Sequence, residues 1–342
     1  MRTLVVNANW LGDVLFSTAA LRALHKHAPG DTLACLVPAR CEALLRHNPY
    51  LNEVIVADDR DSLRSLPSAW TLWRSLKEKK FDRAIFFHRS RSKKMLAFLA
   101  GIPERSGFGP SKGKNILLTH VFAPPSEGTH RTDYYLELLR VQGVAPAGRT
   151  PDFFPADSAA DELKRLFAAT GLDPSAPYAA VHPGGNWDLK RWPAKHFISF
   201  ARFFLEAHPE FSLVVCGTAP EAEVAEEIRH GAASPRAVSF CGKTTLDTLA
   251  HLLKGARFLL SNDSGPIHLA ASQKTPIAGL FGPTSAEITG PVSDGPVLIL
   301  KKDVGCQVPC YFRACDDHVC MEWLSPCEVF TAIEAWLHEA VC

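Results

Sequence analysis

The feature that most constrains the fold is an alternation of short apolar, β-branched runs with longer stretches of helical periodicity. Thr3-Leu4-Val5-Val6, Leu33 to Val37, Val54-Ile55-Val56 and Ala84 to Phe87 read as strands covered on both faces, as in a parallel sheet. Segments such as Ser17 to His27, with Ala20, Leu21 and Leu24 on one face, read as the helices between them. A stretch rich in Pro and Gly from Gly143 to Pro155 interrupts the pattern. After a helical segment, Asp161 to Ala169, the alternation resumes with Tyr178 to Val181, Ser212 to Val215, Ala237 to Phe240, Phe258-Leu259-Leu260, Ile277 to Phe281 and Val297 to Leu300. The expected fold class is α/β, with two doubly wound Rossmann-like domains, residues 1–155 and 156–342. Ligands of such sheets collect at the carboxyl ends of the strands, so two facing domains would form a cleft between two sets of loops.

Composition narrows the class. At 46% hydrophobic and 21% charged residues, the chain has enough apolar mass for two cores and is not disordered. Leu4-Val5-Val6 gives way to Asn7, so no signal-peptide core is expected, and no run approaches the ~20 apolar residues of a membrane span. A cytosolic protein is expected. The ten cysteines are spread along the chain, five of them between Cys306 and Cys327, which is unlike a secreted disulfide framework. The net charge of +1 conceals an asymmetry: residues 1–150 hold 22 Lys and Arg against 13 Asp and Glu, and the remainder holds 15 against 23. A basic half suits an anionic partner, and a solvated charged face is its plainer explanation.

Four loops could carry chemistry. Asn7-Ala8-Asn9-Trp10-Leu11-Gly12-Asp13 follows the first strand and leads into a helix expected near Val14; with Gly12 alone it lacks the three-glycine dinucleotide fingerprint. Asp13 is either an N-cap or a carboxylate aimed at a substrate as general base. Ser261 to His268 follows another strand: Asp263 or Ser264 can cap the helix, Gly265 allows close approach, and Pro266 suits the first turn. Such a helix start favours a diphosphate, with Asp263 and His268 facing the same region. In His182 to Pro193, the amides of Gly184 and Gly185 can meet phosphate oxygens, Lys190 or Arg191 can neutralise them, and Trp192-Pro193 reads as packing. Gly217 to Glu223 offers a carboxylate to a ribose, or simply acidic residues at a helix start.

Together these loops resemble family 9 of the glycosyltransferases, the lipopolysaccharide heptosyltransferases, and within it the type that adds the second heptose. The resemblance is nearly end to end. It rests on Gly12-Asp13; on Pro183-Gly184-Gly185 with Lys190-Arg191-Trp192-Pro193; and on Asp263 to His268 followed by Phe281-Gly282-Pro283-Thr284. It implies a GT-B fold, with an acceptor-binding first domain and a donor-binding second domain. The implied reaction is an inverting, metal-independent transfer of L-glycero-D-manno-heptose from ADP-heptose, with no cofactor required. Asp13 and Lys190 then take the catalytic places, and Gly184, Gly185, Asn186, Asp263, Ser264, Gly265 and His268 bind the donor. Glu221 and Glu223 are equally placed for the ribose contact. Where some relatives carry hydroxyl residues beside the phosphate, this chain has Gly184 and Gly185. Gly12, Arg89, Ser90, Arg91 and His130 would border the acceptor, a Kdo-lipid A or its heptosylated form. His130 with Asp133 could instead cap a helix. Peripheral contact with the anionic inner face of the inner membrane is implied, and no nucleic acid.

Of the basic stretch between Arg83 and Arg105, Lys93 and Lys94 are expected to be solvated. Cys306, Cys310, Cys315 and Cys320 are either reduced thiols in a compact loop or, as similar cysteines in relatives allow, ligands of a structural zinc or iron. Cys35, Cys41, Cys216 and Cys241 read as small core residues. The rival functions are first-heptose transfer, another sugar-nucleotide GT-B enzyme such as an epimerase, and a non-catalytic nucleotide-sugar-binding protein.

Overall fold

The computed structural model describes residues 1–57, 66–109, 116–173, 175–310, 312 and 314–340. The chain divides into two units, Met1–Phe154 and Pro155–Cys342. The first contains β1 (Arg2–Val6), β2 (Thr32–Val37), β3 (Glu53–Val56), β4 (Arg83–Phe86), β5 (Glu104–Phe108) and β6 (His120–Phe122). The second contains β7 (Tyr178–His182), β8 (Ser212–Val215), β9 (Ala237–Ser239), β10 (Leu259–Asn262), β11 (Ile277–Phe281) and β12 (Val297–Lys301). All neighbouring strands pair in parallel.

The sheet orders are β3-β2-β1-β4-β5-β6 and β12-β11-β10-β7-β8-β9. Counted from each unit's own first strand, both are 3-2-1-4-5-6, the doubly wound order of dinucleotide-binding folds. Strand order therefore reverses between β1 and β4 in the first unit and between β7 and β10 in the second. The loops leaving those four strands flank the two crevices in which such sheets bind ligands.

Apolar residues on both faces of the strands build the cores. In the first unit Leu4, Val6, Leu36, Ala84 and Phe86 pack with Leu72, Leu76 and Leu96 from the crossover helices. In the second, Val181, Leu213, Val215, Leu260 and Leu280 pack with Phe197, Phe200 and Phe204. Cys35, Cys41, Cys216 and Cys241 are buried, as small core residues should be. Helix Leu11–His27 is buried from Val14 to Leu24 and packs against helices Arg131–Arg140 and Ala39–Leu45. Arg22 on that helix ties down the end of the unit through Asp152 and the carbonyls of Thr150 (2.9 Å) and Ala147 (3.1 Å).

Two strands escape the sequence reading. β5 begins Glu104-Arg105 and contains Gly107, which lies so close to β4 that a Cβ there would stand 3.2 Å from Phe86 Cβ. β6 has three residues at the sheet edge, two of them exposed. Neither shows an apolar run. Among the described residues, no helix is long and apolar enough to cross a membrane.

Candidate active-site loops

In the second unit, His182 ends β7 and Asn262 ends β10, on either side of the strand-order reversal. The buried Asn262 side chain organises the following loop: Nδ2 donates to the carbonyls of Pro183 (2.7 Å) and Gly184 (3.2 Å), and Oδ1 accepts from Trp192 N (3.0 Å). Trp192 is buried and donates from its indole to Leu324 O (2.8 Å), consistent with packing. The loop thus returns through the short turn Asp188–Lys190, and Lys190 Nζ lies 2.7 Å from the buried Asp263 carboxylate. Arg191 is committed elsewhere. Its guanidinium donates to Gly185 O (2.9 and 2.6 Å) and pairs with Asp188 (2.9 Å), so Lys190 is the cation turned toward Asp263. Asn186 is exposed beyond the two buried glycines.

Ser264 occupies the N-cap position of helix Gly265–Ser272, but neither it nor Asp263 caps the helix as expected. The Ser264 hydroxyl turns instead to His182 Nδ1 (3.0 Å) and Asn262 O (3.1 Å). The helix start therefore carries no side-chain cap, and space is open beside Gly265, where a Cβ would meet nothing within 4 Å. Amide N–H groups left at such a start, with the positive dipole end, attract anions. His268 is buried one turn along the same helix.

Glu221 and Glu223 differ in their packing. Glu223 is exposed, whereas Glu221 turns back into the loop, accepting from Thr218 N (2.6 Å) and Thr218 Oγ1 (2.8 Å), with His182 Nε2 at 3.5 Å. Burial acts to raise its pKa, but the His182 contact and the Thr218 donors outweigh it and bring the pKa down to about 2. The structure gives Gly184 a reason to be glycine besides the expected phosphate contact. A Cβ on it would fall 1.6 Å from Glu221 Oε1, and one on Gly217 would fall 2.8 Å from Oε2. The carboxylate sits in a slot between two residues without side chains. Gly185 makes no such demand, its nearest atom being Arg191 Cγ at 3.5 Å.

In the first unit, Asp13 lies in the first turn of helix Leu11–His27, which starts three residues earlier than Val14. The N-cap is Trp10, so the capping alternative for Asp13 does not hold. Asp13 is half-buried beyond Gly12 at the carboxyl end of β1, and Tyr135 Oη donates to its Oδ1 at 3.4 Å. Burial holds its pKa above the ordinary carboxylate value, against the opposing pull of Arg131, the Tyr135 hydrogen bond and His88. Removing a donor to the charged form raises a carboxyl pKa further. Tyr135→Phe should therefore move the Asp13 titration, read by carboxyl ¹³C shifts, to higher pH; an unmoved titration would show that this bond does not act on Asp13.

Beside Asp13, Asn9 links β1 to the loop after β4, with its Nδ2 3.4 Å from His88 Nε2 and Lys93 Nζ 3.3 Å from its Oδ1. The expectation of solvated lysines fails here: Lys93 and Lys94 are buried, 2% and 6% exposed. The Lys94 ammonium lies over the Phe86 ring, and burial, with Arg89 and Arg91 nearby, lowers its pKa. Arg89 and Arg91 are exposed, and Ser90 caps helix Arg91–Leu99 by accepting from Lys93 N (3.3 Å). His130 caps helix Arg131–Arg140 by accepting at Nδ1 from Thr132 N (3.1 Å), while Asp133 pairs with Arg149 (2.6 Å).

Among the described residues, no group of three or more His, Cys, Asp or Glu side chains is arranged to hold a metal ion. Cys306, Cys310, Cys315 and Cys320 are not joined in disulfides, and burial, with Cys315, Cys306 and Cys310 close by, raises the Cys320 thiol pKa. Their loop contacts the Lys190 turn: His318 Nε2 lies 2.8 Å from Leu189 O, beside Lys190, and Cys310 N donates to Pro283 O (2.7 Å). His182, Asn262 and Tyr135 were missed as site residues. The first two had a signal, since His182 closes an otherwise apolar strand and Asn262 follows Ser261 at the end of another; Tyr135 had none, meeting Asp13 across 122 positions of sequence.

The sequence profile described as "Glycosyltransferase family 9 (heptosyltransferase)" matches residues 69–315. The chain is similar to lipopolysaccharide heptosyltransferase 2 of Salmonella typhimurium, 27% identical over 301 residues and covering 86% of each protein. It is also similar to lipooligosaccharide heptosyltransferase 2 of Haemophilus influenzae, 27% identical and covering 87% of this chain and 88% of the other. Among solved structures, ADP-heptose lps heptosyltransferase II of E. coli superposes with a TM-score of 0.81, at 24% identity and 100% coverage of both chains.

Proposed function

Because the chain belongs to glycosyltransferase family 9 (heptosyltransferase), we propose that it transfers L-glycero-D-manno-heptose from ADP-heptose to the inner core of lipopolysaccharide, adding the second heptose. The names of its relatives favour that position, and family membership sets the epimerase and pure binding readings aside. The observation that carries the reading is the location of the motif residues at the strand-order reversals of both sheets.

In this reading Asp13 takes the proton of an acceptor hydroxyl as its oxygen attacks the anomeric carbon from the face opposite the diphosphate, inverting the centre. Burial, which raises the Asp13 pKa, makes its carboxylate a stronger proton acceptor. The bond from that carbon to the diphosphate oxygen breaks, and ADP leaves with growing negative charge. Lys190 and the uncapped amides at Gly265 stabilise that charge, so the chain's own groups can do the work otherwise given to a metal ion. Glu221 accepts from the ribose hydroxyls; Gly184, Gly185, Asn186, Asp263, Ser264 and His268 complete the donor site. Gly12, Arg89, Ser90, Arg91 and His130 border the acceptor, whose phosphates and Kdo carboxylates suit the exposed arginines. The basic first unit also suits peripheral contact with the anionic inner face of the inner membrane.

Incubation with ADP-heptose and acceptors bearing zero or one heptose tests this directly. One ADP should be released per heptose transferred, and only with the monoheptosylated acceptor. Turnover on the unheptosylated acceptor would reassign the enzyme to first-heptose transfer; failure with both would overturn the reading. A second expectation follows from the glycine slot. Gly184→Ala should weaken ADP binding about tenfold, the loss of roughly one charge-assisted hydrogen bond, by expelling Glu221. In a Glu221→Ala background the same change should cost almost nothing in calorimetry; additive losses would contradict the shared cause.

A further inference from the structure

We propose that His182 is a positioning residue that sets the ribose-binding carboxylate and the diphosphate-binding helix start at a fixed separation. The inference rests on the assignment of Glu221 to the donor ribose. His182 is 4% exposed and ends β7 opposite Ser261 on β10. One edge of its ring meets the helix start, with Nδ1 3.0 Å from Ser264 Oγ and 3.4 Å from Ser261 Oγ. The other edge meets Glu221, with Nε2 3.5 Å from Oε1. A ring donating from Nε2 to the carboxylate presents Nδ1 to a hydroxyl, so one rigid imidazole spans two loops that leave different strands. The backbones of Gly184 and Gly217 flank the Glu221 carboxylate without offering it a side-chain partner, and its polar contacts come from Thr218 on one side and His182 on the other.

The readout is the ratio of Kd for 2′,3′-dideoxy-ADP to Kd for ADP, which isolates the ribose contact and does not change with the fraction of protein folded. A site built to bond a hydroxyl rejects the analogue lacking it, so the unmodified protein should prefer ADP by about tenfold or more. His182→Ala should reduce that preference to about twofold, a loss of one hydrogen bond's worth of discrimination. His182→Gln, whose amide reaches the Nε2 position, should restore most of it, whereas His182→Asn, whose amide matches Nδ1, should not. A preference unchanged in His182→Ala would overturn the proposal. A Gln variant no better than Ala would also overturn it, by assigning the loss to packing alone. Glu221→Ala separates the two layers of the argument. If it keeps the preference, the ribose assignment itself fails; if it loses the preference while His182→Ala keeps it, only the positioning role falls.

Discussion

Asp13→Asn should lower kcat by about 10³- to 10⁴-fold, near the upper range for loss of a positioned general base, with ADP affinity changed less than about twofold. The two readouts should part because Asp13 belongs to the first unit and the loops proposed to bind the donor to the second. The same substitution should raise the unfolding temperature at neutral pH. Folding raises the pKa of Asp13, chiefly by burial, so its ionised form is less favourable in the folded than in the unfolded chain. That cost is absent below the unfolded pKa and develops as pH rises through the folded one. A neutral amide escapes it. The stabilising effect should therefore fade in acid, and thermal melts across the acid range would reveal this. A variant that keeps wild-type turnover removes Asp13 from the chemistry whatever its stability.

Lys190→Ala should be the second large loss, about 10²- to 10³-fold in kcat, comparable with removing one strong donor to a developing oxyanion. It should also destabilise the fold by about 3 kcal/mol, because a buried carboxylate loses its cation. The pair is well buried, with side-chain exposures of 17% for Lys190 and 4% for Asp263. Lys190→Met combined with Asp263→Asn should recover much of the stability and none of the turnover. Recovery of turnover in the double variant would mean that the lysine serves only to neutralise Asp263.

Strands with uninterrupted apolar runs were legible almost to the residue, because a strand buried on both faces must declare itself in composition: Ser212–Val215 and Ile277–Phe281 coincide with their sequence reading. The helix after β1 was placed three residues late because Trp10, its N-cap, offers no capping oxygen to mark the boundary. The site loops were visible as motifs, since glycine, proline and charge at a strand end are local signals. The partners that give them meaning are not local. Lys93 read as solvent-exposed because its contact, Asn9, lies 84 residues away. Glu221 and Glu223 are indistinguishable in sequence; the exposure of Glu223, the Thr218 and His182 contacts of Glu221 and the space at Gly184 separate them.

That vacated space has an evolutionary corollary. Positions 184 and 221 cannot drift independently: a lineage that acquires a hydroxymethyl or methyl group at the first must shorten, swing or discard the acid at the second. Homologues should accordingly divide into two correlated states, and grafting a residue from one state into the other should fail unless both members of the pair are exchanged together.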